Sequence, residues 1–135
     1  MSSAAKVVLT VLFIAAPVCG FAQESPGMEE MRMAERHAAQ AARSQDLREV
    51  KSQLEQALNC LVGRGSGEYR TAAGDPCKGA SALQKLPGDS VNRIRVEKAI
   101  RLASVGVTFH DFKPAHYTAQ AVQAVLEEGV GPGAR

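Results

Sequence analysis

The chain is expected to fold as a small all-α bundle of about three main helices, and three observations lead there. Aromatic residues make up only 4% of the 135 positions, with no Trp, two Tyr and four Phe, so a core must be assembled from Ala, Val, Leu and Ile. An Ala-rich, aromatic-poor chain favours helices over sheets. Apolar residues also recur at spacings of three and four along two long stretches, which is the repeat of one helix face, and no strand is evident. A length of 135 suits one domain.

At the N-terminus Lys6 precedes an apolar run from Val7 to Ala16, too short to cross a bilayer of about 30 Å as a helix. Pro17 breaks the run, and Gly20-Phe21-Ala22 offers small residues where a signal peptidase inspects the chain. Residues 1–22 are therefore read as a secretory signal cleaved before Gln23, and 23–128 as a single helical domain. Lipid attachment at Cys19 would call for Leu and two small residues ahead of it, where the chain has Ala16-Pro17-Val18. No second apolar stretch follows to serve as an anchor, so no membrane association is expected after cleavage.

Of the 16 basic and 14 acidic residues, cleavage removes only Lys6, leaving 15 against 14. This balance argues against an electrostatic nucleic-acid binder, which needs a clustered positive face. The mature chain keeps two cysteines, Cys60 and Cys77, an even number that suits an oxidising compartment and allows one pairing. A bridge closing a loop of this size stabilises by about 3 kcal/mol in the chain-entropy model.

The first helix is expected to start at Ser25-Pro26, with Ser as cap and Pro at the first helical position, and with Glu29 and Glu30 in the first turn. No Pro or Gly interrupts Met28 to Val62, and Leu47, Val50, Leu54, Leu58 and Leu61 form one apolar stripe. The Ala-rich half before it can continue as a single helix or break near Ser44-Gln45-Asp46. That half is more helix than a small bundle needs, and is expected to offer a partner or oligomerisation surface. Gly63 stops the helix, and a Gly- and Pro-rich loop to Ser90 is expected to be pinned by Cys77, with a short helical turn or two within Ala80 to Leu86.

Asp89-Ser90 offers the next cap, after which Val91, Ile94, Ala99, Leu102 and Val105 read as a buried stripe ending at Gly106, with Arg93, Glu97 and Arg101 on a salt-bridged outer face. The connector from Gly106 to His116 carries Phe109 and Phe112, whose rings are expected to fold back onto the helices. Thr118 is expected to cap a last helix bearing Ala121, Val122, Val125 and Leu126, stopped by Gly129, with 129–135 as a disordered tail. Residues 90–128 then form an αα-hairpin against the helix ending at Cys60.

Two sets of side chains are candidate metal ligands. Met28, Met31, Met33 and His37 offer thioether and imidazole donors of the kind that select a soft ion such as Cu(I). The plainer reading of these four is an ordinary amphipathic helix start. His110 and His116, with Asp111, offer two imidazoles and a carboxylate suited to Zn(II). The plainer reading there is that His110 packs with Phe109 and Phe112 while Asp111 and His116 act as local caps. Paired carboxylates such as Glu29-Glu30 and Glu127-Glu128 are expected to be solvated at helix ends. No motif frames a nucleophile with its base, and Gly63-Arg64-Gly65-Ser66-Gly67 follows a helix, the wrong context for a phosphate-binding loop. No catalytic residues are assigned, no enzyme is expected, and no cofactor is implied.

The segment Leu54-Glu55-Gln56-Ala57-Leu58-Asn59-Cys60-Leu61-Val62-Gly63, with Asp75-Pro76-Cys77-Lys78-Gly79 after the loop, resembles a motif of small exported bacterial helical proteins. In these a helix bearing Asn-Cys-Leu-Val-Gly precedes an Asn/Asp-Pro-Cys-x-Gly loop, and no activity is assigned to the group. Some carry His on this helix, where this chain has Gln53 and Gln56. The resemblance implies an exported, disulfide-bridged helical protein. Together these observations point to a non-catalytic binding protein of the periplasm, an accessory subunit or an immunity-type protein, with another periplasmic protein as partner. The alternative is a periplasmic metal or small-ligand carrier.

Overall fold

The structure of the protein, a computed structural model, describes residues 24–131. The expected signal with Cys19, and residues 132–135 of the expected tail, lie outside the described residues. Five α-helices follow one another: α1 (Met28–Arg43), α2 (Leu47–Val62), α3 (Ala82–Lys85), α4 (Val91–Gly106) and α5 (Phe112–Val130), with a 3-10 turn at Thr71–Ala73. Among the described residues there is no strand, and the fold is the expected all-α bundle.

The stretch from Met28 to Val62 is two helices, so the bundle has four long helices. The break is local chemistry. Asp46 caps α2 by accepting from the Glu49 N–H at 3.1 Å, and its own N–H donates to Ser44 Oγ at 3.2 Å. Ser44 in turn donates its N–H to the carbonyls of Gln40 and Ala41, which closes α1. Such side-chain bonds compete with helix continuation. The three-residue turn folds α1 back along α2, and the same logic with a five-residue connector lays α5 back along α4. In cross-section α1 touches α2 and α5, and α4 touches the same two helices. α1 and α4 thus occupy opposite corners, meeting at one end where Asn92 Nδ2 donates to Met28 Sδ at 3.3 Å.

α2 fills the centre with Val50, Leu54, Leu58 and Leu61, all fully buried, as the stripe predicts. α1 contributes mostly methyl groups from Ala34, Ala38 and Ala41, which let its backbone approach closely. It is therefore part of the core wall, packed on α2 and α5, rather than surplus helix. Its start also differs from expectation. Gly27, with φ 87°, is the N-cap residue, Ser25 accepts from the Met28 N–H at 3.2 Å, and Pro26 belongs to the preceding turn.

The second hairpin departs from the sequence reading at three points. Ser90 caps α4 as expected, accepting from the Arg93 N–H at 3.1 Å, but the buried face is Val96, Ala99, Ile100, Ala103 and Gly106. Of the predicted stripe only Ala99 is buried, while Val91, Ile94 and Val105 are 61%, 51% and 54% exposed. α4 carries apolar residues on two faces, and the one with smaller side chains packs closer to its neighbours. Next, α5 begins at Phe112, six residues ahead of Thr118, with Asp111 as an N-cap residue whose side chain makes no cap bond. Pro114 is compatible with this start, because a first-turn N–H has no intrahelical acceptor to lose. Thr118 Oγ1 donates to the Pro114 carbonyl at 2.8 Å instead of capping. Finally, α5 runs through Gly129 to Val130, and Gly at 129 leaves room for its neighbours: a side chain there would collide with the methyl of Met31 and lie 2.7 Å from Asn92 Oδ1. Phe109, Phe112 and Val130 all pack on the core from its edge.

Candidate functional site

The end of α2 carries the most heavily bonded part of the molecule. Cys60 and Cys77 are bridged, with Cα atoms 5.2 Å apart. Beside the bridge Asn59, 1% exposed, donates through Nδ2 to the carbonyls of Arg70 at 2.9 Å and Gly74 at 2.7 Å. Its Oδ1 accepts from the Arg70 N–H at 2.7 Å. One amide side chain thus serves three backbone groups of a loop that has little regular structure to satisfy them. Ser81 Oγ donates to the Leu61 carbonyl at 3.0 Å and accepts from the Gln84 N–H at 3.1 Å, starting α3.

Gly63 ends α2 with φ 75°, and a Cβ there would lie 2.6 Å from the Ser81 Cβ and 3.1 Å from the Gly79 carbonyl. Asp75 accepts from the Gly79 N–H at 2.7 Å and pairs with Arg64. The Gly79 N–H above all, with the Arg64 guanidinium and the Tyr69 hydroxyl, holds the Asp75 carboxyl below its ordinary 3.8. The Asn-Cys-Leu-Val-Gly and Asp-Pro-Cys-x-Gly segments are therefore joined by the disulfide and bonded to the chain around them at Arg64, Arg70, Gly74 and Ser81, as a clasp that ties the loop to the helix.

The candidate ligands do not converge. Met31 is fully buried and Met28 nearly so, both facing the core. Met33 stands two residues from Met31, which places it on nearly the opposite side of α1, and it packs at the core edge. His37 Nδ1 bonds Gln53 Oε1 at 2.7 Å, and Gln53 Nε2 donates to Glu49 Oε1 at 2.7 Å, a polar chain joining α1 to α2. His110 is exposed rather than packed between Phe rings. It is His116 that stacks on Phe112, with ring centroids 5.0 Å apart, and its Nε2 lies 3.1 Å from Gln120 Nε2 while its Nδ1 is buried with no hydrogen-bond partner. Among the described residues no three His, Cys, Asp or Glu side chains form a group able to hold a metal ion.

One expected solvated pair is split. Glu29 is exposed, but Glu30 is 5% exposed and pairs with Lys85 of α3. That bond, more than anything else nearby, raises the Lys85 ammonium above its ordinary 10.5. Two shallow clefts of about 350 Å³ each open on the surface. One lies at this ion pair between Glu24 and Lys85; the other runs between α3 and α4, where Leu83, Ile100 and Arg101 meet.

One surface feature with no role inside the molecule is the outer line of α4. Its exposed residues are Val91, Ile94, Lys98, Arg101 and Val105. The corresponding line of α1 is Glu29, Arg32, Arg36, Gln40 and Arg43, polar throughout. Sequence reasoning assigned the α4 aliphatics to the core because spacing identifies a face without saying which way it points. The only sequence signal for a second face was that Val96 and Ile100 fall outside the predicted stripe. No helix among the described residues is long and apolar enough to cross a membrane. No family model, curated protein or solved structure matches the chain.

Proposed function

We propose that this chain is an exported, non-catalytic protein that works by binding another periplasmic protein, as an accessory subunit or an immunity-type protein. The exposed aliphatic line of α4 carries the reading. Aliphatic side chains in water on a helix that already has a complete inner face stabilise nothing within the molecule, and aligned apolar exposure marks interaction surfaces. The Cys60–Cys77 bridge and the Asn59 clasp support the same reading, since they stiffen the loop that flanks α4 and suit an oxidising compartment.

The reading is tested by Ile94→Ser and Val105→Ser, each expected to change stability by less than about 0.5 kcal/mol because the positions are exposed. Both variants should lose a protein that the wild-type chain retains specifically from periplasmic extract. Retention of the same protein by both variants would remove α4 from the interface and the observation that carries the reading.

A further inference from the structure

We infer that the outer line of α4 is a seam for one helix of a different protein, and that this helix places acidic residues against Lys98 and Arg101. The inference rests on the partner-binding reading and specifies its chemistry. Residues 91, 94, 98, 101 and 105 follow one another at intervals of three, four, three and four. Any bundle helix has an outermost line with that spacing; what sets this one apart is its content. Val91 and Ile94 occupy one end and Val105 the other, and two cations lie between. Apolar residues at such intervals accept the side chains of a facing helix along a narrow stripe. From Val91 to Val105 the stripe covers fourteen helical steps, about 21 Å of helix, enough for two heptads of contact.

Charge selects the occupant. The other two arginines of α4 are already engaged: Arg93 Nε lies 3.4 Å from Glu97 and Arg95 Nε 3.6 Å from Glu128. Among the described residues Lys98 and Arg101 take part in no ion pair. Their alkyl stems extend the apolar stripe while their heads wait for carboxylates. A second copy of this chain fits badly, because two such seams set Lys98 against Lys98 in either orientation, and like charges on a seam select against self-pairing. A lipid surface also fits badly, since lying on a bilayer calls for a broad apolar face with large apolar side chains, whereas this line is one residue wide and cationic at its centre.

The experiment is photo-crosslinking of the full chain in the cells that export it. A photoreactive phenylalanine derivative replaces Ile94, Lys98 or Val105 in turn, and Gln40 on α1 serves as the control position. The expected result is one segment of one protein crosslinked from all three α4 positions and not from Gln40, with Asp or Glu at the site reached from position 98. A synthetic peptide of that segment should bind the purified chain, lose about tenfold or more in affinity to the variant with Lys98→Glu and Arg101→Glu, and regain it when its own acidic residues become Lys. Crosslinks to lipid, to a second copy, or to a segment without acidic residues overturn the inference, as does indifference to the charge reversal. A specific protein captured from Gln40 alone overturns the seam and leaves partner binding standing; no specific protein from any position overturns both.

Discussion

Asn59 serves three backbone groups from inside the molecule, and a buried donor or acceptor stripped of its partner loses its full solvation. Asn59→Ala is therefore expected to destabilise by about 2–4 kcal/mol, measured by urea unfolding. Asn59→Asp should cost at least as much at neutral pH, since its buried carboxylate still accepts from the Arg70 N–H but sets a charge with nothing to donate against the carbonyls of Arg70 and Gly74. If the two substitutions were equally mild, the loop would owe its shape to the disulfide alone. Gly63 is held by backbone geometry and by contact together. Gly63→Ala should lower the melting temperature although Ala forms helices better, because at φ 75° the added methyl meets both Ser81 and the Gly79 carbonyl. A melting temperature equal to wild type would show that the end of α2 can rearrange freely.

At the scale of elements, two devices decide how helices begin and where they lie. The Asp46 cap separates α1 from α2, and Asp46→Ala should cost about 1 kcal/mol. The loss should appear in stability without a change in helical content, because the Ala face of α1 has no alternative site to bury. Loss of the hairpin in the circular dichroism spectrum would instead mean that the cap, and not packing, holds α1 in place. The Cys60–Cys77 bridge ties the irregular segment between α2 and α3 to the end of α2. Cys60→Ser is expected to lower stability by roughly 2–5 kcal/mol, and reductant should do the same to the wild type. A melting temperature indifferent to reductant would mean that the Asn59 clasp suffices.

For the molecule as a whole, acid acts through carboxylates of opposite sign. Asp75 is held below 3.8, so its contribution is present at neutral pH and is lost as pH falls through its depressed folded value. Glu35 is pushed above 4.5, first by burial and then by Glu127, against the pull of Arg43 and Arg36. Its ionisation opposes folding, so stability is regained as pH falls from the raised value towards 4.5. Glu35→Gln should thus raise the melting temperature at pH 7 and leave it unchanged near pH 3, whereas Asp75→Asn should lower it at pH 7 with the difference closing in strong acid. Equal effects at both pH values would assign these residues a packing role instead. At the alkaline end the Glu30–Lys85 pair contributes below pH 10.5 and fades as pH rises through the higher folded value of Lys85.

How far the chain could be read in advance follows from what each signal encodes. The absence of strands among the described residues, the α2 stripe from Val50 to Leu61, the Ser90 cap, the stop at Gly63 and the pairing of Cys60 with Cys77 were all legible, because each depends on neighbours within a turn or two or on simple elimination. Where a feature depended on what arrived from elsewhere in the chain, only the folded molecule decided it. Ser44-Gln45-Asp46 marked a break that local caps make, yet where α1 lies after it was settled by the Ala face finding α2 and α5. Gly129 read as a stop and is instead the place where Met31 fits; Glu30 read as solvated and is buried against Lys85, 55 residues away. The candidate surface belongs to the same class. Local spacing showed that Val91, Ile94 and Val105 share a face of α4, and it was the closer packing of Val96, Ala99 and Ala103 against the other helices that turned that face outward. Periodicity is a property of one helix, but inside and outside are relations between helices.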